Sequence, residues 1–175
     1  MAERFFGTGC TLFAICKKVE SIRAMISGLI QRQMRYITID PYANAFNEEE
    51  NGHCWEKDDT DSNDWEWERK YEIDSLCYPI WLLHRYYETT KDEHIFSAQV
   101  KIAFRRILDT WSTEQHHDEA SSYYFRRTNC PPTDTLSNDG KGEPTVYTGM
   151  TWSAFVQVMT PANMDTWCHL ICLQV

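Results

Sequence analysis

No stretch of this chain approaches the roughly 18 consecutive apolar residues that a membrane-spanning helix needs, so a soluble protein with no membrane partner is expected. The apolar segment Phe5–Cys16 comes nearest to a signal core. Glu3 precedes it, Lys17-Lys18 follow it, and no small-x-small cleavage pattern closes it. Positive charge is also scarce. Seventeen Lys and Arg face 26 Asp and Glu, a net charge of −9, which argues against a nucleic-acid partner because neutralising phosphates takes clustered cations. Asn-x-Ser/Thr acceptors are absent, and so are Cys-x-x-Cys pairs. The seven cysteines are scattered and odd in number. Cys168-x3-Cys172, with His169 between them, has ligand spacing but no second cluster to complete a four-ligand zinc site. Free thiols favour a reducing, cytoplasmic setting without assigning a compartment.

Two further motifs fail on inspection. Asp59-x-Asp61-x-Asn63 imitates the start of a calcium loop, but its glycine position is Asp64 and its closing carboxylate position is Lys70. Gly140-Lys141-Gly142 lacks the spacing and the Lys-Ser/Thr pair of a phosphate loop. No metal and no other cofactor is therefore expected.

Aromatic rings and helical periodicity are abundant. Seven Trp, nine Tyr and eight Phe serve either a core or platforms under sugar rings. Val19, Ile22, Met25, Ile26, Leu29 and Ile30 recur at three-and-four spacing and predict a helix over Val19–Met34, ended by Asp40-Pro41. Further helices are expected over Leu76–Glu88 and His94–Thr113, the second with Phe96, Val100, Ala103, Phe104, Ile107 and Trp111 on one stripe. Their short link makes an αα-hairpin, with Thr90-x-x-Glu93 as a capping box. Strand signals are confined to short pieces near Thr38 and Val146. Between Glu48 and Glu68 lie ten carboxylates and a single Lys, which read as a solvated, mobile loop. The residues from Glu114 to Gly149 form a long connection, a length that usually marks function or disorder.

Three segments concentrate polar and aromatic groups. Trp67-Glu68-Arg69-Lys70-Tyr71-Glu72-Ile73-Asp74-Ser75-Leu76-Cys77-Tyr78-Pro79 places Lys70, Glu72 and Asp74 two apart. They project together from an extended lead-in to a helix whose first turn would hold Pro79. A helix N-terminus favours anions and bound oxygens, which makes this a plausible site. Glu72 and Asp74 alternatively serve locally, as a partner of Lys70 or Arg69 and as an N-cap. The other two segments are Ile39-Asp40-Pro41-Tyr42-Ala43-Asn44-Ala45-Phe46-Asn47 and Tyr147-Thr148-Gly149-Met150-Thr151-Trp152-Ser153. Their asparagines offer amides for hydroxyl groups or else satisfy loop backbone. Arg126-Arg127 and His116-His117 read as solvated or structural.

Taken together, the three segments resemble the signature of glycoside hydrolase family 125, the exo-α-1,6-mannosidases, in order and rough spacing from about Ile22 to Phe155. The resemblance implies an all-α fold, an (α/α)6 toroid, and an inverting, metal-independent hydrolase of α-mannosides. Twelve helices of ~11 residues with ~5-residue links need roughly 200 residues, so only part of such a toroid is expected here. It implies a divergent segment at 1–18, a partial toroid at 19–155 and a divergent tail at 156–175.

Hydrolysis with inversion needs a general acid and a general base roughly 6.5–9.5 Å apart. The family's acid lies in an Arg-Pro-Ser-Asp-Asp run just past the Thr-Trp segment. Here Trp152-Ser153-Ala154-Phe155 passes into Val156-Gln157-Val158-Met159-Thr160 with no acid. The base belongs to a His-Glu-Ser segment expected beyond Val175, and the upstream Trp-Leu-Arg-Asp segment has no match in Met1–Lys18. The resemblance therefore implies no catalytic residue in this chain. It implies a substrate-binding set of Asp40, Asn44, Asn47, Lys70, Glu72, Asp74, Tyr147 and Trp152, with a mannose-containing oligosaccharide as partner. The competing expectation is a non-catalytic helical interaction protein whose acidic loop binds a basic partner. Either way, apolar helix stripes made for neighbours in a closed ring are expected to lie partly exposed.

Overall fold

A computed structural model describes residues 13, 15, 16, 18–129 and 137–141. The first helix, α1, spans Glu20–Ile39 and buries Ile26, Ile30, Met34 and Ile37, one residue per turn on a single face. It runs past the expected end at Met34 and takes in Thr38, where a strand had been expected. Asp40 ends it in extended backbone (φ −150°), because a residue before proline is pushed out of the helical region.

A two-stranded antiparallel ribbon follows. β1 (Ala45–Phe46) pairs with β2 (Glu66–Glu68), Ala45 opposite Glu68 and Phe46 opposite Glu66. The acidic segment between them is tied down where a mobile loop was expected. The amides of Asn51 and Gly52 donate to the Asp64 carbonyl, that of Trp55 to Trp67, and Asp59 bridges to Arg126 through both backbone hydrogen bonds. Counter-charges for its carboxylates arrive from far along the chain, at Arg126 and Arg127.

The second helix, α2, spans Ile73–Thr90. It starts earlier than the expected Leu76, so Pro79 lies in the helix interior and not in its first turn. Proline has no N–H, which leaves the Ser75 carbonyl without its helical partner. A 3₁₀ turn at Glu93–Ile95 leads into α3, Ala98–Glu114. The Thr90–Glu93 capping box does not form. The Thr90 hydroxyl bonds back to the Tyr86 carbonyl, Asp92 caps the 3₁₀ turn, and Ser97 Oγ caps α3 by accepting from the Val100 amide. Short helices α4 (His117–Ala120) and α5 (Ser137–Gly140) come after it.

Helix α1 packs against both α2 and α3, more extensively against α3. Ile26, Ile30 and Met34 meet Leu76, Leu83, Val100, Ala103 and Ile107 in one core with Phe13 and Cys16. The outer faces of the same helices carry apolar residues without cover among the described residues: Met25 is 56% exposed, Leu29 46%, Ile102 54% and Leu108 59%. Among the described residues no helix is long and apolar enough to cross a membrane.

Candidate functional site

The start of α2 and the turn before β1 come together. Glu72 holds the N-cap position in extended backbone without a capping hydrogen bond from its side chain. Asp74 already lies in the first helical turn, so the expected alternation of Lys70, Glu72 and Asp74 ends at Glu72. Asn44 reaches across from the β1 side. Its Nδ2 donates to Glu68 Oε2 at 2.8 Å, and its backbone N–H donates to the Glu68 carbonyl. Burial pushes the Glu72 carboxyl up from its ordinary value and the Asp74 charge adds to this, while Lys70 and the Asn44 amide act the other way. Burial raises Asp74 too, opposed by the backbone N–H groups of Ser75 and of Asp74 itself. Two adjacent half-buried carboxyls, both raised, are an environment typical of functional sites.

Beside this cluster is a cavity of about 350 Å³ whose lining includes Gln33, Tyr36, Asn44, Phe46, Ser75 and Pro79. Tyr36 and Phe46 stack face to face, 4.6 Å apart and 3° from parallel. Gln33 Oε1 and Asn44 Oδ1 are buried there without hydrogen-bond partners. Pro79 also removes the helical donor that would face the Ser75 carbonyl, while Arg32 and Tyr78 add donors to the same lining. Such a lining suits a ligand that brings its own O–H groups and a C–H face for the rings.

Asp40 and Asn47, also expected in the site, are spent on support. Asp40 accepts from Arg69 Nε at 2.6 Å and from the Tyr42 amide at 2.7 Å. Arg69 therefore has its ion pair with Asp40 and not with Glu72, and its guanidinium lies over the rings of Tyr42 and Tyr123. Asn47 turns into the acidic loop, where Nδ2 donates to the carbonyls of His53 and Asp64. Lys70 lies over the Phe125 ring at 5.8 Å. Tyr147 and Trp152 lie outside the described residues, as do Val146 and the Cys168–Cys172 pair.

Several residues that build the site had no role in the sequence reading. Glu66 is 2% exposed; burial, the partly opposing Asn63 amide and the neighbouring Asp40 charge leave its carboxyl raised, at about 7. Glu68, which orients Asn44, is held by Arg127, and Arg127 Nε and Nη2 also engage Asp58 at 3.1 and 3.2 Å. The one available signal was the period-two run Trp65-Glu66-Trp67-Glu68, a strand pattern inside a segment judged by its charge alone. With its carboxylates engaged by Arg126 and Arg127, the acidic loop also offers fewer of them to a basic partner.

Comparison with known proteins gives concordant results. The family model described as metal-independent alpha-mannosidase (GH125) matches residues 10–166. The chain is 28% identical over 146 residues to the meiotically up-regulated gene 157 protein of Schizosaccharomyces pombe (strain 972 / ATCC 24843), covering 74% of this chain and 29% of that protein. Among solved structures it is similar to a Streptococcus pneumoniae metal-independent alpha mannosidase, in a non-productive complex with alpha-1,6-mannobiose. That likeness has a TM-score of 0.77 and 45% identity, over 82% of this chain and 34% of the bacterial one. The chain thus spans about a third of the length of these relatives. Among the described residues, the three long helices and scant sheet correspond to part of the all-α, six-hairpin toroid.

Proposed function

Because the chain belongs to the metal-independent α-mannosidase family, we propose that it carries the sugar-holding part of a glycoside hydrolase site, acting on α-1,6-linked mannosides. The observation that carries this reading is the cluster of Asn44, Glu68, Lys70, Glu72 and Asp74 at the start of α2, beside a cavity with unpaired acceptors. It is supported by the 45% identity to a mannosidase that holds α-1,6-mannobiose.

Each group has a distinct task in this scheme. The carboxylates of Glu72 and Asp74 accept hydrogen bonds from sugar hydroxyls, and such charge-assisted bonds are about twice as strong as neutral ones. The Lys70 ammonium donates to sugar oxygens. Asn44, with its amide N–H committed to Glu68, presents its carbonyl to a hydroxyl donor. Asp40 and Asn47 fix the turn that carries Asn44, and Tyr147 and Trp152 add an aromatic edge and a stacking face. Raised carboxyls at this spot are a cost of burial that ligand hydroxyls would offset.

Inverting hydrolysis further requires an acid on the leaving oxygen and a base on water. The run after Trp152 supplies no acid, so the chain as given is proposed to bind without turnover. A general acid typically contributes about 10² to 10⁴ in rate, which a site without one forgoes. Titration of the 175-residue chain with α-1,6-mannobiose tests this. Saturable binding is expected, weakened at least tenfold by Glu72→Gln or Asn44→Ala, the loss of one charged hydrogen bond. Hydrolysis that Asp74→Asn abolishes would refute the non-catalytic assignment, and binding indifferent to all three changes would refute the site.

A further inference from the structure

The end of α3 holds a buried polar node that the sugar-binding reading does not use. Glu114 is completely buried, and two hydroxyl donors and an imidazole nitrogen converge on its carboxylate. The Tyr42 hydroxyl donates to Oε1 at 2.8 Å, the Ser121 hydroxyl donates to Oε1 at 2.5 Å, and His117 Nδ1 lies 2.7 Å from Oε2. The His117 side chain is 5% exposed, and its Nε2 lies 2.7 Å from the Lys141 carbonyl oxygen. A carbonyl only accepts, so Nε2 carries a proton. Glu114 already accepts two hydroxyl protons, which favours the ionised carboxylate and puts a second proton on Nδ1. The ring that satisfies both partners is an imidazolium.

We propose that His117, protonated and paired with Glu114, is a positioning residue: a proton-dependent clamp that ties three segments to the end of α3. The segments are the turn bearing Tyr42, the strand-like stretch 121–127, and residues 137–141. The third is held twice more, by the Phe125 amide on the Gly140 carbonyl at 2.8 Å and by Arg126 Nε on the Asp139 carbonyl at 2.9 Å. Gly140 fits there because its φ is +88° and a Cβ would come within 2.7 Å of the Arg126 side chain. The clamp also reaches the sugar site. Tyr42 belongs to the segment that carries Asn44, and stretch 121–127 supplies Arg127, which holds Glu68 against Asn44.

The other groups facing the pair do not supply the missing proton. Burial raises the Tyr42 hydroxyl, the Glu114 charge raises it further, and it stays a donor. Tyr123, raised by burial, gives its hydroxyl oxygen to the Tyr71 amide. The Arg69 cation over both rings is paired with Asp40. His116 and Lys141 are exposed. The sign follows directly. The clamp holds while His117 is protonated and loosens as pH rises through its folded-state titration, because a neutral imidazole satisfies only one of its two acceptors.

The test uses the whole chain. Nitrogen-15 spectra of the imidazoles, recorded from about pH 6 to pH 9, are expected to show His117 with both nitrogens protonated at the lower end of that range. Protection of the Phe125 amide against hydrogen exchange, corrected for intrinsic rate, is expected to fall about tenfold or more over His117 titration, the effect of losing a charged hydrogen bond. In His117→Gln that pH step should vanish, and in His116→Gln it should remain. A neutral His117 at pH 6.5 overturns the proposal without recourse to any variant, and so does the same step surviving in His117→Gln. Only the link to the sugar site rests on the function proposed above. α-1,6-Mannobiose affinity on the same samples separates the two: a pH step in Phe125 protection with no sugar binding at any pH sinks the site reading alone. Binding with no such step sinks the clamp alone.

Discussion

Replacing Glu66 by glutamine keeps the shape of the side chain and removes its ability to ionise. In the native protein this β2 carboxyl is buried close to Asp40, and Arg69, the counter-charge near it among the described residues, is already held by Asp40. Burial is the main reason its pKa rises from 4.5 to about 7, with the Asp40 charge adding to it and the Asn63 amide opposing it. A group with a folded pKa above its unfolded value stabilises the fold at low pH. That contribution is complete below about pH 4.5 and is lost as pH rises to 7 and beyond. At about 1.4 kcal/mol per pH unit, the loss is of order 3 kcal/mol by pH 8. Glu66→Gln should therefore be close to neutral, or mildly destabilising, near pH 5. Near pH 8 it should be more stable relative to the native protein by roughly 2–3 kcal/mol. Glu72 and Asp74, also raised, act with the same sign but cancel in the difference between the two proteins. Urea unfolding of both, followed by tryptophan fluorescence at the two pH values, measures it. An effect of Glu66→Gln that is equal at pH 5 and pH 8 would falsify the assignment of Glu66 as an uncompensated buried carboxyl.

Arg127→Ala removes the partner of both Asp58 and Glu68, whose side chains are 5% and 18% exposed, and should cost about 3–5 kcal/mol in the same unfolding assay. Arg127→Lys should recover only part, because an ammonium cannot reproduce the fork on Asp58; a loss under 1 kcal/mol for the alanine variant contradicts the buried-network account. Ser97→Ala deletes the α3 cap and the hydrogen bond from the Ser97 hydroxyl to Gln31 Oε1, with an expected loss of about 1–2 kcal/mol that Ser97→Asp should partly restore. No change in midpoint for Ser97→Ala would show that the cap carries no weight.

The apolar spacing of Ile26, Ile30 and Met34 and of Val100, Ala103 and Ile107 made α1 and α3 legible, since burying one helical face demands that period. Asp40-Pro41 marked the end of α1 for an equally local, steric reason. The Asn44 and Glu72 neighbourhood was reachable through motif resemblance, because short segments rich in amides, charges and rings carry the family's chemistry. Pro79 was misplaced by one helical turn because tertiary packing extended α2 back to Ile73, over residues whose own signal is mixed. The acidic loop was misjudged because charge counting within the loop cannot register Arg126 and Arg127, nearly seventy residues later, as its counter-ions.

Local physics, written residue by residue, determined which stretches form the three long helices described and where Asp40-Pro41 ends the first of them. It could not assign partners to side chains. Asp40 and Asn47 carry the same groups as any sugar ligand, yet the fold commits one to Arg69 and the other to the carbonyls of His53 and Asp64. His117 read as solvated or structural and Glu114 only as the start of a long connection, yet the two form a sealed pair because Tyr42, Ser121 and Lys141 close over them. A hydrogen bond depends on where two groups finally sit, to within a few tenths of an ångström. For residues dozens of positions apart, only the packing of α1 against α2 and α3 sets that separation.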